Sequence, residues 1–344
     1  MRTSSKLAAL LAVLTASSAH AATLIPVPIV PGSTNTYVAD INDKNVIAGD
    51  YELPDGSFHA FYGTLDGQYT TFDFDETNDP GTDARGIDNK GNIVGTANTD
   101  NEPLIYDVVQ FERFANGSMK LIKNHGAPTA GLTGGINSKG VFVVENWHSD
   151  NTVDGFTGKK AKAKEQIELG FTTVRVRPRD ITISGDVAGY TKVTASTGYQ
   201  GFILHDGTTT LVNYPDETAT NTLLEGINSK GISTGFWEDA DFNEFGFIYD
   251  TKTAKFSPVT IPGFPQSSAG GVNAAGLIVV QGYSQDLTQS APYIYCPKKP
   301  SKCPSGGFEI ADPKPVAMVA GTKPHTVANP AALTPLKAKR QMRQ

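Results

Sequence analysis

Short apolar runs rich in β-branched residues recur along this chain, broken every few positions by Gly, Asn, Asp or Pro, and they recur in phase. Six segments read alike: VADINDKNVIAGDY (38–51), ARGIDNKGNIVGTA (84–97), TGGINSKGVFVVENW (133–147), PRDITISGDVAGY (178–190), LEGINSKGISTGFW (224–237) and AGGVNAAGLIVVQGY (269–283). Their anchor positions are Asn42, Asp88, Asn137, Thr182, Asn228 and Asn273, spaced 45 to 49 residues apart. Each anchor is followed by a second short motif: HAFY (59–62), EPLIY (102–106), DGF (154–156), QGFIL (200–204), FGFIY (245–249) and APYIY (291–295). Two motifs held in phase over six units mark a repeat architecture.

Each unit predicts four strands. One ends at the anchor; NKG, SKG or DKN makes the turn, where Gly or Asn tolerates positive φ. The β-branched IVG-like run is the second strand and the HAFY/GFIL segment the third. A tight turn such as Asp66-Gly67 or Asp206-Gly207 then leads to a fourth, YTTFDF or TTLVNY. Four strands in about 46 residues is the size of a propeller blade, so the expected fold is an all-β, six-bladed β-propeller, with a linear β-solenoid as the alternative. TLIPVPIVPGS (23–33) resembles FSPVTIPGFPQS (256–267), the end of unit five. An N-terminal strand could therefore complete the last blade, although Phe308-Glu309-Ile310 competes for the same place.

This pattern resembles the HAF family of extracellular repeats, bacterial exported proteins whose units read GINxxGxIVGxYxxxxGxxHAFL. The resemblance covers residues 38–310 and is closest at His59-Ala60-Phe61 and at Gly226-Ile227-Asn228. Thr182 at the Asn position of unit four, and Glu102-Pro103-Leu104 in place of the triplet, depart from it. It implies export and a propeller-like fold, and no established activity.

Residues 1–21 read as an export signal: Arg2 and Lys6, the apolar stretch Leu7–Leu14, and the small-residue motif Ala19-His20-Ala21, with cleavage expected between Ala21 and Ala22. Eight apolar residues are far short of the roughly 20 of a spanning helix, and no longer run occurs, which excludes a helical integral membrane protein. Export points to the periplasm or the medium. The two cysteines, Cys296 and Cys303 in CPKKPSKC, are close enough to form a disulfide there.

Gly (35) and Pro (21) make up about one residue in six of the 344, an excess that favours turns over helices. Residues 311–344 lack aromatics and read as a disordered basic tail. The net charge of −6 divides into +2 for the leader, +5 for the tail and −13 for residues 22–310. So acidic a body argues against nucleic acid as partner. A monomer is expected.

Eight to ten residues after each anchor stand Tyr51, Ala97, Trp147, Tyr190, Trp237 and Tyr283, five aromatics of six. If exposed on one face beside Asp, Glu and Asn, they would suit sugar stacking and hydroxyl recognition; the plainer reading is packing over the next blade. The acidic loop with Glu238, Asp239, Asp241 and Glu244 offers oxygens for Ca²⁺, as do Asp73, Asp75, Glu76 and Asp79, yet neither matches a defined Ca²⁺ loop. No other cofactor is expected. No HExxH or phosphate-binding Gly loop is present. The histidines His59, His125, His148, His205 and His325 are dispersed, and His148, beside Trp147, is the one to test first and joins the aromatics as a candidate ligand-binding residue. The expected function is a non-catalytic module binding a glycan or another extracellular partner. The alternatives are a lyase or hydrolase using His and carboxylates at the channel, or a structural surface protein.

Overall fold

The computed structural model describes residues 22–74, 81–98, 108–123, 131–297, 302–310 and 316–317. The leader, Asp75, Glu76, Asp79, His125 and most of the tail lie outside them. The described residues contain no α-helix, and none of their helical turns could cross a membrane. Strands follow one another as antiparallel meanders, one per sequence unit, in five hydrogen-bonded sheets. Units three and four share a sheet because Val153 pairs in parallel with Arg175.

The strands that end at the anchors are Asn35–Ile41, Thr82–Ile87, Thr133–Ile136, Arg175–Ile181, Asn221–Ile227 and Gln266–Val272. Each touches its counterparts in the preceding and following units, and the sixth touches the first. The chain is thus an all-β, propeller-like ring with these strands innermost, and the closing contact excludes a linear solenoid. Every inner strand carries a register shift just before its anchor, as between Val38 and Asp40 or Pro178 and Asp180. A bulge re-aims the side chain beside it, here toward the axis.

The anchor asparagines build the turns and also clasp the ring. Asn42 Oδ1 accepts from the Lys44 and Val46 amides at 2.9 and 3.0 Å. The residue three past the anchor must take positive φ, +61° at Asn45 and +87° at Gly91, which explains Gly or Asn there. Asn42 Nδ2 donates to the Asp88 carbonyl of the next unit, Asn137 to Thr182, Asn228 to Asn273, and Asn273 back to Asn42. Each clasp adds a second bond to a carbonyl that already accepts from the amide three residues on, and so ties one unit to the next.

Both candidate closing segments take part in unit six. Ala22–Pro26 inserts between Ser290–Cys296 and Phe308–Ile310, pairing antiparallel with each. The N-terminal strand fills the fourth place and Phe308–Ile310 adds a fifth. Hydrophobic clusters lie between neighbouring units; one joins Ile25, Val279 and Ile294 to Ile41, Ile47 and Phe61. Burying a side chain such as Phe61, fully enclosed, contributes about 1.5–3 kcal/mol. Cys296 and Cys303 are joined by a disulfide with their Cα atoms 6.0 Å apart. Order extends beyond residue 310: Val316–Ala317 pairs with Phe256 and Lys255 at the edge of unit five, so the tail is not wholly unstructured.

Candidate functional site

The ring encloses an axial channel with a cavity at each end. At the end where the inner strands begin, a cavity of about 120 Å³ is lined by residues that include Tyr37, Asp50, Arg179, Glu225, Gln281 and Tyr283. At the anchor end, one of about 140 Å³ is lined by the turn residues together with Asp40 and Asp180. These two aspartates occupy equivalent positions in units one and four, where the other units carry Gly86, Gly135, Gly226 and Gly271. Asp40 accepts from the Ile41 amide (2.7 Å) and from Ile87 of unit two (2.9 Å); Asp180 accepts from Ile181 (2.7 Å) and from Ile227 of unit five (2.8 Å). A Cβ on Gly271 would lie 2.1 Å from Asp40 Oδ1, and one on Gly135 2.2 Å from Asp180 Oδ1, so glycine there makes room for the carboxylates. Burial pushes both carboxyls above the usual range against these amide bonds, and the charge of Asp40 raises Asp180 further.

The aromatic register does not form an exposed face. Tyr190 is fully buried, Trp147 is 9% exposed and Tyr283 8%. Trp237 is half-buried, stacked between Tyr214 (5.2 Å) and Phe245 (4.4 Å). Tyr51 is half-buried against His59. The physical reason is position: the end of each second strand faces the neighbouring unit, where a large ring gains more by packing than by standing in water. Tyr283 alone of the five lines the cavity at this end, with its hydroxyl 3.3 Å from Ser268.

The acidic loop does not gather into a cation cage. Asp239 spends its oxygens on its own turn, accepting from the amides of Asp241 and Asn243, and Glu238 accepts from Asn221 at 2.8 Å. Glu244 sits opposite Glu238 in the ladder, and Asp241 is exposed. Among the described residues no three His, Cys, Asp or Glu side chains converge as metal ligands. Asp73 is paired with His59 (2.8 Å), His148 with Asp154 (2.9 Å) and His205 with Asp186 (2.6 Å). None of these histidines lines either cavity.

A cluster not singled out from the sequence lies at the boundary of units three and four. Arg175, Arg177 and Arg179 alternate along one inner strand, and Lys192 faces Arg175 across the ladder. Arg175 donates to the Tyr199 hydroxyl (2.9 Å) and to the Asn151 carbonyl (3.1 Å). Lys192 Nζ stands 4.3 Å from the Tyr199 ring centroid. The Arg177 guanidinium lies 5.8 Å from the Trp147 ring and 5.6 Å from that of Tyr199. Burial alone would push the Tyr199 hydroxyl up, but Arg177, Arg175 and Lys192 hold it below the ordinary phenol range. Glu145, fully buried, accepts from the Trp147 indole (2.6 Å) and faces Arg179 at 3.5 Å and Arg177 at 3.8 Å. Arg179 also bonds the Tyr190 hydroxyl and reaches Glu225 at 3.8 Å. The alternating R-V-R-P-R run in an otherwise acidic body was the available signal.

No protein-family model matches the chain, and no curated protein matches it in sequence. Among solved structures it is similar to a point variant of Aleuria aurantia lectin in complex with Fucα1-6GlcNAc, at 10% identity and a TM-score of 0.50, covering 83% of this chain and 98% of the lectin. It is also similar to the SapL1 lectin in complex with α-methyl fucoside (12% identity, TM-score 0.48, 82% and 97% of the two chains). A gluconolactonase from Xanthomonas campestris matches at 11% identity and a TM-score of 0.46, over 80% and 89%. At such identities the likeness concerns the fold.

Proposed function

We propose that this chain is an exported six-bladed β-propeller of the HAF-repeat kind, acting as a non-catalytic module that binds glycan at the end of the ring where the inner strands begin. Six anchored units and the six inner strands around one axis support the blade count. Export rests on the leader-like sequence of residues 1–21, with its basic start, short apolar stretch and Ala19-His20-Ala21. The disulfide suits the oxidising compartment that export implies.

The observation that carries the glycan reading is unspent hydrogen-bonding capacity beside aromatic rings. Gln281 donates to the Thr36 carbonyl while its Oε1, in the cavity wall near Tyr283, has no partner; Arg177 Nε, between Trp147 and Tyr199, has none either. Polar groups set beside rings at one end of a rigid scaffold are what saccharide hydroxyls require. One propeller-like neighbour, the Aleuria aurantia lectin variant, is in complex with Fucα1-6GlcNAc, which agrees with this reading. The test is a glycan array probed with residues 22–344, with and without Ca²⁺. Saccharide binding that free sugar competes away is the expected result; a blank array overturns the proposal.

A further inference from the structure

Resting on that glycan reading, we propose that the boundary of units three and four binds the anionic group of an acidic saccharide, a carboxylate or a sulfate, between Arg175 and Lys192 with Arg177 beneath.

Charge accounting leads to this site. Residues 22–310 carry −13, yet four cations crowd two adjacent strands of unit four. Glu145 and Glu225 answer Arg179, and Glu145 answers Arg177 only at 3.8 Å while already engaged by the Trp147 indole. Glu238 acts on Lys192 only as a more distant charge. Neither Arg175 nor Lys192 has a carboxylate within ion-pair distance among the described residues. Arg177 is 8% exposed, and its Nε donor is buried without a partner. A guanidinium enclosed in this way keeps a strong unmet demand for an acceptor.

Access and geometry agree. Arg175, Lys192 and Tyr199 are all partly exposed, so an anion can reach the first two from solvent. Arg175 is held by its bonds to Tyr199 and Asn151, which fixes its fork before a ligand arrives. The depressed Tyr199 hydroxyl registers the same positive potential. A carboxylate or sulfate takes two or more N–H donors from such a fork, and Lys192 adds a point charge.

The experiment is an array carrying neutral fucosylated and galactosylated oligosaccharides beside hexuronate-, sialate- and sulfate-bearing ones. It is probed with the wild-type chain and with Arg175→Gln and Lys192→Gln, each first checked for an unchanged thermal midpoint. Acidic glycans are expected to bind, about tenfold more weakly in each variant and less as salt rises. The ratio of carboxylated to sulfated hits identifies the anion. Neutral hits alone, or acidic hits indifferent to both substitutions, overturn this inference and leave the glycan reading standing. A blank array overturns both.

Discussion

Asn273→Asp tests the idea that the anchor asparagines hold the ring together as well as shaping their turns. Asn273 is 3% exposed. Its Nδ2 donates to the Asn42 carbonyl and to Asn45 Oδ1, both at 3.1 Å, and its Oδ1 accepts from the Leu277 amide at 3.0 Å. Aspartate preserves the acceptor, as Asp88 does at the equivalent position by accepting from Lys90 and Asn92. The donor alone is lost. Two hydrogen bonds at about 1 kcal/mol each, plus a buried carbonyl left facing a carboxylate, predict a destabilisation of about 2–4 kcal/mol at neutral pH. Asn273→Ala, which also removes the acceptor, should cost about 1 kcal/mol more. Urea unfolding followed by the fluorescence of Trp147 and Trp237 measures both through the shift in midpoint. An aspartate variant within about 0.5 kcal/mol of wild type, inside the range of ordinary surface changes, refutes the clasp.

Trp237→Ala should lower stability by about 2–4 kcal/mol because it empties the stack between Tyr214 and Phe245; full stability with lost glycan binding would instead make this ring a contact residue. Asp40 and Asp180 are both raised in the folded state, so their contribution is complete below the ordinary aspartate range near pH 4 and is lost as pH rises through the raised values. The thermal midpoint should therefore fall between weakly acidic and alkaline buffer, and Asp180→Asn should flatten that slope; an equal slope in the variant contradicts the axial pair. Reducing the Cys296–Cys303 bond, which closes a loop of sequence separation 7, should cost about 2–3 kcal/mol. A midpoint in urea unmoved by dithiothreitol would deny the bond that role.

The repeats were legible because each requires the same local chemistry: a side-chain acceptor for the turn (Asn in four units, Asp88 and Thr182 in the others), a residue at positive φ, then a β-branched strand. That chemistry is local, so it survives in sequence. The clasp from Nδ2 to the next unit was not legible, since it joins residues about 45 apart through a donor that the turn itself leaves unused. The aromatic register was found, but whether a ring at that position faces solvent or a neighbour depends on the packing of adjacent units. Asp40 and Asp180 stood in plain view as departures from the Gly-Ile-Asn pattern; that they approach one axis from opposite sides follows only from closure. Arg175, Arg177 and Lys192 draw their interest from the shortage of carboxylates around them, a property of the assembled ring.

The strand Ala22–Pro26, made first, finds its partners near Cys296 and Ile310, made last. No earlier part of the chain can substitute for them, so the ring stays open until synthesis is nearly complete. Contacts so distant in sequence are also slow to form, because the whole intervening chain must be brought round before they stabilise anything. A polypeptide that cannot lock itself shut while still growing remains threadable. The order of its strands therefore delays final folding until nearly the whole chain has been made.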